Sequence, residues 1–409
     1  MNQPPDKIES DAKIAKLLIF FLLSIFVYSL IYYCYHGILQ ARSGRKTDFD
    51  PYISGALCLK NIKNPYVAVN LLEAAKSIGA QKNDISINRC VYPPLFMQLL
   101  LPFTKIDISK ARVIWSVIFS IFFLICITAA VYQMTGNNLL CSAIFLSMLF
   151  LFNPLYITIA LGQVNLFIVF LIIYSYYFYK KKLYLISSGF ITAAALIKII
   201  PAIFFLPFLV RSGNKNILKF CVASIVLFLI SYIYSVAEYN YYFSYVLPQF
   251  SGGAGDSVYN ISFWGMLDRM NFRYKNIAAF ILQGLTLLIL LHSLLIKKYE
   301  NDFIFGLTTC LSLLIPKTLW EHHLLLLAIP IFIMIKYIHS SKVKPVLSRI
   351  IFTVAGFALI AMDMKYYDER LNEFPLIFFQ YIKFFGLVFF TLGYYLTLTN
   401  ILEKNNKKI

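Results

Sequence analysis

Two aspartates in the sequence stand where they could supply a catalytic carboxylate. They follow the first long apolar run, in the stretch Lys46-Thr47-Asp48-Phe49-Asp50-Pro51-Tyr52. A carboxylate beside a membrane surface can act as a general base that takes the proton of an incoming hydroxyl. An aspartate just before an amphipathic helix is also a common N-cap. Either Asp48 or Asp50 could therefore cap the helix while the other performs catalysis.

Lys198 is a charged residue inside an apolar run, Ala195-Leu196-Ile197-Lys198-Ile199-Ile200-Pro201. An ionised side chain in such a segment costs about 2.5 to 3.5 kcal/mol on insertion scales unless it is paired or hydrated. The side chain could relieve this cost by extending to the lipid headgroups, and an anionic ligand could relieve it equally. We favour the anionic ligand, because ligand binding would explain why a lysine occupies this apolar run.

Further polar and aromatic residues interrupt or border apolar runs, namely Tyr66, Tyr92, Gln163, Asn165, Asn260, Arg269 and Trp320-Glu321-His322-His323. Amide side chains such as that of Gln163 often only bridge helices. Glu321 and the two histidines could bind a divalent metal ion, but three consecutive residues do not share one face of a helix. The sequence therefore indicates no certain metal or other cofactor.

The composition of the chain determines which elements position these residues. Of its 409 residues 60% are hydrophobic and 14% are charged, whereas a soluble domain carries about 25% charged residues. Apolar runs such as 17–35 and 220–236 approach the roughly 20 residues that cross a hydrocarbon core about 30 Å thick. The composition excludes a soluble domain and predicts an all-α polytopic membrane protein.

Short basic clusters between the apolar runs indicate the orientation of the chain. The net charge is +18, but the lysines and arginines gather in clusters such as 180–182, 211–219 and 342–349. This is the positive-inside pattern of membrane proteins, and we do not expect nucleic-acid binding. We predict about 12 spanning helices, with both termini in the cytoplasm and all the polar residues named above on the outer side.

We predict a single membrane domain, 1–409, with two large outer loops. The first loop, 37–92, contains amphipathic stretches at 52–59 and 66–78, which are suited to lying along the membrane interface. The second loop covers 237–273.

The segment 94–103 does not fit a regular pattern of crossings. As a helix it would be about 16 Å long, too short to span the bilayer, so we expect it to be half-inserted. Lys105, Lys110 and Arg112 follow it and would by their charge prefer the cytoplasm. The sequence does not resolve this conflict.

Six short motifs, in this order, resemble those of glycosyltransferase family 87. They are Asp48-Phe49-x-x-Tyr52, Asn64-Pro65-Tyr66, Tyr92-Pro93-Pro94-Leu95, Gly162-Gln163-Val164-Asn165, the stretch 189–201 with Lys198-x-x-Pro201, and Trp320-Glu321-His322-His323. Each motif is weak singly, whereas the ordered set over roughly residues 40–330 is more specific. The resemblance implies the GT-C membrane fold and transfer of a sugar from a polyprenyl-phosphate donor to an acceptor outside the cytoplasm. Many members of the family are mannosyltransferases.

The resemblance also implies roles for individual residues. Asp48 matches the family's first-loop aspartate, thought to be the catalytic base. Lys198, Arg269 and His322 match positions that face the donor cavity. The whole predicted substrate-binding set is Asp50, Tyr52, Tyr66, Tyr92, Gln163, Asn165, Lys198, Asn260, Arg269, His322 and His323.

The residues and the resemblance together predict a hexosyltransferase, with mannose as the favoured sugar and a lipid-linked or envelope glycan as the acceptor. We expect it in the bacterial inner membrane with its active face in the periplasm. The single base carboxylate that the resemblance implies suits direct displacement with inversion. A flippase or transporter of lipid-linked sugars is the alternative, although such proteins often contain related halves, and the sequence shows none. An O-antigen-type polymerase is a further alternative, because it also handles lipid-linked sugars outside the cytoplasm.

Overall fold

The computed structural model describes residues 5–43, 47–80, 90–211, 213–251, 259–296, 299–340, 347–363 and 375–406. Within these residues the regular structure is helical and contains no strand. The all-α class predicted from the sequence is therefore confirmed.

The first part of the chain combines long helices with short ones. Its helices are α1 Pro5–Ser43, α2 Phe49–Lys60, α3 Ala68–Ser77, α4 Pro94–Leu100, α5 Ile108–Val113, α6 Ser120–Met134, α7 Leu139–Phe150 and α8 Asn153–Leu161. A π-helical segment, Ile114–Phe119, joins α5 to α6, and the three form one stretch of 27 residues. The axes of α7 and α8 differ by 65° at the break between them.

The second part of the chain continues the helical pattern. Its helices are α9 Asn165–Lys180, α10 Tyr184–Ile197, α11 Phe205–Arg211, α12 Asn214–Tyr234, α13 Val236–Tyr241, α14 Leu247–Ser251, α15 Phe263–Arg269, α16 Lys275–Leu295, α17 Asn301–Ser312, α18 Ala328–Ser340, α19 Leu347–Ala361, α20 Ile377–Gln380 and α21 Ile382–Asn406. Short 3₁₀ segments precede α11 at Ile200–Phe204 and α18 at Glu321–Leu327.

Several helices begin at residues that favour a helix start. The Asp107 carboxylate accepts hydrogen bonds from the backbone N–H of Ser109 and Lys110 at the start of α5. The Asn138 side chain does the same at the start of α7, where it accepts from the N–H of Cys141 at 2.9 Å. A side-chain acceptor here satisfies one of the amides that a first turn leaves unpaired.

Five helical segments among the described residues are long and apolar enough to cross a membrane: Ile108–Met134, Asn216–Tyr234, Lys275–Leu295, Glu321–Ser340 and Ile382–Leu402. The bent pair α7 and α8 would make a sixth. Four shorter apolar helices, of 10 to 17 residues, are Asn165–Lys180, Tyr184–Ile197, Ile200–Arg211 and Arg349–Ala361. The protein is a multi-pass membrane protein, whereas the predicted number of crossings remains a prediction.

The two amphipathic stretches of the predicted first outer loop form helices α2 and α3, but they differ in burial. Helix α3 buries only Leu71, Ala74 and Ala75, as expected of a helix that lies on a surface. Helix α2 is buried on most of its circumference, against the expectation that it lies along the interface. The short segment 94–103 explains the difference, because α4 packs on α2 and its Phe96 ring lies 4.9 Å from the Tyr52 ring of α2, centroid to centroid.

Glycines allow α19 and α21 to pack with their backbones in contact. A Cβ atom added at Gly356 would overlap the backbone of Phe390, and one added at Gly393 would overlap the backbone of Thr353. Small residues permit such close approach in membrane helix pairs, where packing replaces the hydrophobic effect as the driving force. This contact fixes α21 against α19.

Candidate active site

A tight turn between α8 and α9 positions the residues of the Gly162-Gln163-Val164-Asn165 motif. Gly162 has φ +67° in the left-handed region, which favours glycine. A Cβ at this position would lie 2.9 Å from the Ser116 hydroxyl oxygen. The Trp115 indole N–H donates to the Gly162 carbonyl at 2.9 Å. The turn therefore requires glycine both for its dihedral angles and for its space.

The same turn also binds Asp48, at the start of α2. The backbone N–H of Asp48 donates to the carbonyl of Leu161 at 2.8 Å. The Gln163 side-chain amide donates to the Asp48 carboxylate. Asp48 occupies the N-cap position of α2, but within the described residues its side chain accepts no hydrogen bond from an amide of that helix. The Asp48 side chain thus does not cap α2, and its carboxylate binds the Gln163 side chain instead.

Burial raises the pKa of the Asp48 carboxyl from its ordinary value of 3.8 to about 6. The hydrogen bond from Gln163 and the nearby charge of Lys198 act in the opposite direction, and they favour the ionised form. A carboxyl group whose pKa lies closer to neutrality is a better proton acceptor than one at 3.8, while it is still mostly ionised at pH 7.

Two tyrosines determine the orientation of the Gln163 amide. The Tyr52 hydroxyl donates to the Gln163 Oε1 atom at 2.9 Å and lies 2.8 Å from the Tyr92 hydroxyl. Because Oε1 accepts from Tyr52, the amide nitrogen of Gln163 is directed at Asp48. The two rings pack edge to face with their centroids 4.7 Å apart. Tyr52 and Tyr92 thereby support the Asp48–Gln163 contact.

Lys198 lies at a break between α10 and the following 3₁₀ segment. Its backbone is extended, with φ −149° and ψ 133°, and Pro201 follows three residues later. The Lys198 ammonium donates to the Asn165 Oδ1 atom at 2.9 Å and lies 5.9 Å from the centroid of the Tyr92 ring. An ammonium has three N–H donors, and among the described residues no carboxylate forms an ion pair with this one. Lys198 therefore keeps donors for a ligand.

Asn165 links the histidine motif to Lys198. The Asn165 side-chain amide donates to the His322 carbonyl at 3.0 Å, while its oxygen holds Lys198. The rings of His322 and His323 are perpendicular, with centroids 4.6 Å apart. The His323 Nδ1 atom accepts from the backbone N–H of Trp320 at 3.3 Å, so in the neutral ring the proton is on Nε2. We name the set Asp48, Tyr52, Tyr92, Gln163, Asn165, Lys198, His322 and His323 the outer cluster, after the side of the membrane that the sequence predicts for these residues.

A buried ion pair beside the outer cluster was not found from the sequence. The Lys383 ammonium, which is fully buried, donates to the Glu321 carboxylate. The Asn153 amide donates to the same carboxylate oxygen at 2.6 Å. Lys383 is a lysine inside an apolar run, so the argument applied to Lys198 would have singled it out as well. Its pairing with Glu321 had no signal in the sequence.

Asp50 binds an arginine with both of its carboxylate oxygens. Arg112 donates from Nε to Oδ1 at 2.7 Å and from Nη2 to Oδ2 at 2.6 Å, and both side chains are buried. This bidentate pair fixes α5 to α2. The pair neutralises Arg112 where it lies, which removes one of the three positive charges behind the conflict over segment 94–112. Asp50 is thus engaged with the protein, while Asp48 is the aspartate beside Lys198.

Of the remaining predicted residues, Tyr66 contacts the outer cluster, whereas Asn260 and Arg269 bind other segments. The Tyr66 hydroxyl donates to the Tyr92 carbonyl at 2.9 Å. Asn260 ties its loop to the segment before Trp320, because its side chain donates to the Lys317 carbonyl at 3.0 Å and accepts from the N–H of Leu319 at 3.0 Å. Arg269 donates to the Gln380 side-chain oxygen at 2.5 Å, which places it with the C-terminal segment.

The described residues contain no group of three or more histidine, cysteine, aspartate or glutamate side chains with metal-binding geometry. The Glu321 carboxylate accepts from Lys383, and the His323 Nδ1 atom accepts from the backbone N–H of Trp320. The side chains of the motif are thus engaged in hydrogen bonds.

The comparison with known families identifies the chain. Residues 91–362 match the family model described as Glycosyltransferase family 87. The chain belongs to glycosyltransferase family 87. The match covers more than half of the chain and includes Tyr92, the Gln163 turn, Lys198 and the histidine motif. Asp48 and Tyr66 precede the matched residues.

Membership of family 87 confirms the resemblance noted in the sequence, and with it the GT-C class to which the family belongs. The protein is therefore a membrane glycosyltransferase. A similar solved structure is that of ArnT from Cupriavidus metallidurans bound to undecaprenyl phosphate, with 10% sequence identity, a TM-score of 0.45, and coverage of 93% of this chain and 76% of that one. No curated protein matches the chain.

Proposed function

We propose that the protein transfers a hexose, with mannose as the first candidate, from a polyprenyl-phosphate donor to a lipid-linked or envelope glycan acceptor. One observation carries the proposal: the turn that contains Gln163 and Asn165 holds a carboxylate and an ammonium near each other, because Gln163 binds Asp48 and Asn165 binds Lys198. This pair matches what the reaction needs, a base for the acceptor and a cation for the donor phosphate.

Lys198 is the group proposed to hold the donor phosphate. A polyprenyl-phosphate sugar stays in the bilayer and carries its anionic group near the depth of the headgroups. The Lys198 ammonium lies at a helix break and has N–H donors left after its bond to Asn165. A phosphate would supply a directly bound counter-charge in addition to that of the nearby Asp48, which forms no ion pair with Lys198 in the described part of the chain. The ammonium would stabilise the charge that develops on the leaving phosphate.

Asp48 is the proposed general base of the reaction. The acceptor hydroxyl oxygen attacks the anomeric carbon and forms the new glycosidic bond, while its proton passes to Asp48. The bond between the anomeric carbon and the phosphate oxygen breaks, and the polyprenyl phosphate leaves with the bonding electrons. One base and one displacement imply inversion at the anomeric carbon.

The proposed location of this chemistry is the outer side of the bacterial inner membrane. The support comes from the charge pattern of the sequence, in which the basic clusters remain in the cytoplasm. The outer cluster lies at the Asn165 end of α9, whereas Lys180 begins a basic cluster at the other end of that helix.

The test is an assay of the purified protein with a panel of polyprenyl-phosphate sugars, with donor and product followed by mass spectrometry. We expect one hexose donor to be consumed by the wild type and not by Asp48→Asn. Glu73→Gln is the matched control, because Glu73 is an exposed carboxylate of the same loop, paired with Lys63 at 2.8 Å. Movement of intact donor across vesicles without consumption would instead indicate a flippase. Products that grow by whole oligosaccharide units would indicate a polymerase.

A further inference from the structure

A cavity of about 550 Å³ lies at the end of α9 opposite to the outer cluster. Its lining includes Tyr132, Gln133, Asn137, Tyr177 and the three lysines Lys180, Lys181 and Lys336. Helix α9 has 16 residues, so its ends are about 24 Å apart. The cavity is therefore separate from the outer cluster. Its volume falls within the range of about 300–1,000 Å³ that is typical of small-molecule sites.

The lysines of the cavity are held in place by one buried carboxylate. Asp302 accepts from the Lys180 ammonium at 2.9 Å and from the Lys336 ammonium at 2.5 Å. The Tyr176 hydroxyl donates to the same carboxylate. Three lysines against one aspartate leave an excess of positive charge at the cavity. Because each ammonium has three donors, Lys180 and Lys336 keep N–H groups for a ligand while Asp302 fixes their positions.

Lys181 completes the basic wall from the adjacent turn. Its ammonium lies 4.6 Å from the centroid of the Tyr177 ring, a cation–π contact that orients the side chain. The Tyr177 hydroxyl in turn donates to the Gln133 side-chain oxygen. The tyrosines are typical of the membrane–water interface, which places the cavity at the depth of the lipid headgroups.

We propose that this cavity binds an anionic phosphate group, in the form of a phosphate ester such as the headgroup of an anionic lipid. Lysines act as point-charge donors to phosphate, and basic pockets between membrane helices are suited to anionic headgroups. The inference is independent of the proposed transferase chemistry, because none of its residues belongs to the outer cluster.

The test measures binding to the full-length protein in detergent by native mass spectrometry. One arm uses phosphatidylglycerol with phosphatidylcholine as the neutral comparison, and the other uses soluble glycerol phosphate and inorganic phosphate. The variant is Lys181→Gln. Its matched control is Lys182→Gln, which removes the same charge one residue further on, at an exposed position outside the cavity lining.

We expect phosphatidylglycerol to bind in preference to phosphatidylcholine, and Lys181→Gln to weaken that binding about fivefold, while Lys182→Gln leaves it nearly unchanged. Binding of glycerol phosphate with equal affinity would support the phosphate site and identify the soluble ester as sufficient. Equal losses in the two variants, or no preference for any of the anionic ligands, would overturn the proposal. Sugar transfer, measured on the same samples, should be retained by both variants.

Discussion

Asp48 is the residue on which the proposed chemistry depends most directly. Its carboxylate accepts from Gln163 and lies near Lys198. We expect Asp48→Asn to lower turnover by about 10² to 10⁴-fold, the usual effect of losing a general base, without reducing donor binding. Steady-state kinetics with a saturating donor would show this, and Asp50→Asn should instead lower stability because it breaks the pair with Arg112. Near-normal turnover in Asp48→Asn would remove the base from the mechanism.

The raised pKa of Asp48 gives the same residue a pH signature. A base works in its ionised form, so the transfer rate should fall as the pH drops through about 6.

The stability of the protein should respond to pH in the opposite sense. The Asp48 contribution to folding is fully present below the ordinary pKa of 3.8 and is lost as the pH rises through about 6, because burial disfavours the charge. Asp48→Asn should therefore melt at a higher temperature than the wild type at about pH 7, a difference that shrinks on acidification.

Lys198 is predicted to matter for the donor more than for the fold. Its contacts with the protein include a hydrogen bond to Asn165 and a cation–π contact with Tyr92, and among the described residues no carboxylate forms an ion pair with it. We expect Lys198→Met to weaken donor binding and slow turnover while the melting temperature is unchanged or slightly higher. Lys198→Arg should recover part of the affinity, because the charge remains on a differently shaped group.

The control for Lys198 is Lys182→Met, which removes a lysine from an exposed turn. Donor affinity and melting temperature of the three variants should be measured side by side in detergent. If Lys198→Met kept its affinity and lost much of its stability, the lysine would be structural.

At the scale of elements, the turn after α8 determines where the outer cluster forms. Gly162→Ala would place a methyl group 2.9 Å from the Ser116 hydroxyl oxygen at φ +67°. We expect it to lower the melting temperature and to reduce turnover, because the displaced turn carries Gln163 and the partner of the Asp48 N–H.

Gly79→Ala separates the two causes of the lower melting temperature expected for Gly162→Ala, namely backbone strain and steric crowding. Gly79 has φ +72°, but a Cβ there meets nothing within 4 Å. The Gly79→Ala protein should lose only the cost of an alanine in the left-handed region, about 1–2 kcal/mol. It should keep full activity. Equal effects of the two substitutions would mean that the crowding at Gly162 is unimportant.

Helix α21 is predicted to support the histidine motif through Lys383. Lys383→Met leaves the Glu321 carboxylate buried with a reduced set of partners, and breaking a buried pair costs about 3–5 kcal/mol. The double variant Glu321→Gln with Lys383→Met removes both charges and should recover most of that loss. Thermal melting of the single and double variants measures the effect, and equally unstable variants would contradict the pairing.

At the scale of the whole molecule, the orientation in the membrane can be tested by labelling. We expect a cysteine at the exposed position 76 of α3 to react with an impermeant maleimide on intact cells, and one at the exposed position 182 to be protected. The background must lack the seven natural cysteines. Labelling at 182 with protection at 76 would invert the proposed orientation.

Much of this architecture was readable from the sequence, because the relevant signals are local. Apolar runs predict helices, and a lysine inside such a run marks a special position. The motifs around Asp48, Gln163 and Lys198 were recognised for the same reason. The pairings of Asp50 with Arg112 and of Glu321 with Lys383 were not, since they join residues 62 positions apart in each case. The burial of α2 likewise depends on the packing of α4, which no local pattern encodes.

The pairing of Glu321 with Lys383 also sets an order of events on the ribosome. The two residues are separated by 62 positions, which at roughly 5–20 residues per second takes about 3 to 12 seconds to translate. During that interval the histidine motif exists in the nascent chain while the lysine that neutralises its glutamate has not been synthesised. The site is therefore completed late, when the glycine-lined contact brings α21 against α19. A ribosome stalled before codon 383 would leave the Glu321 carboxylate with the Asn153 amide but without the lysine that neutralises its charge.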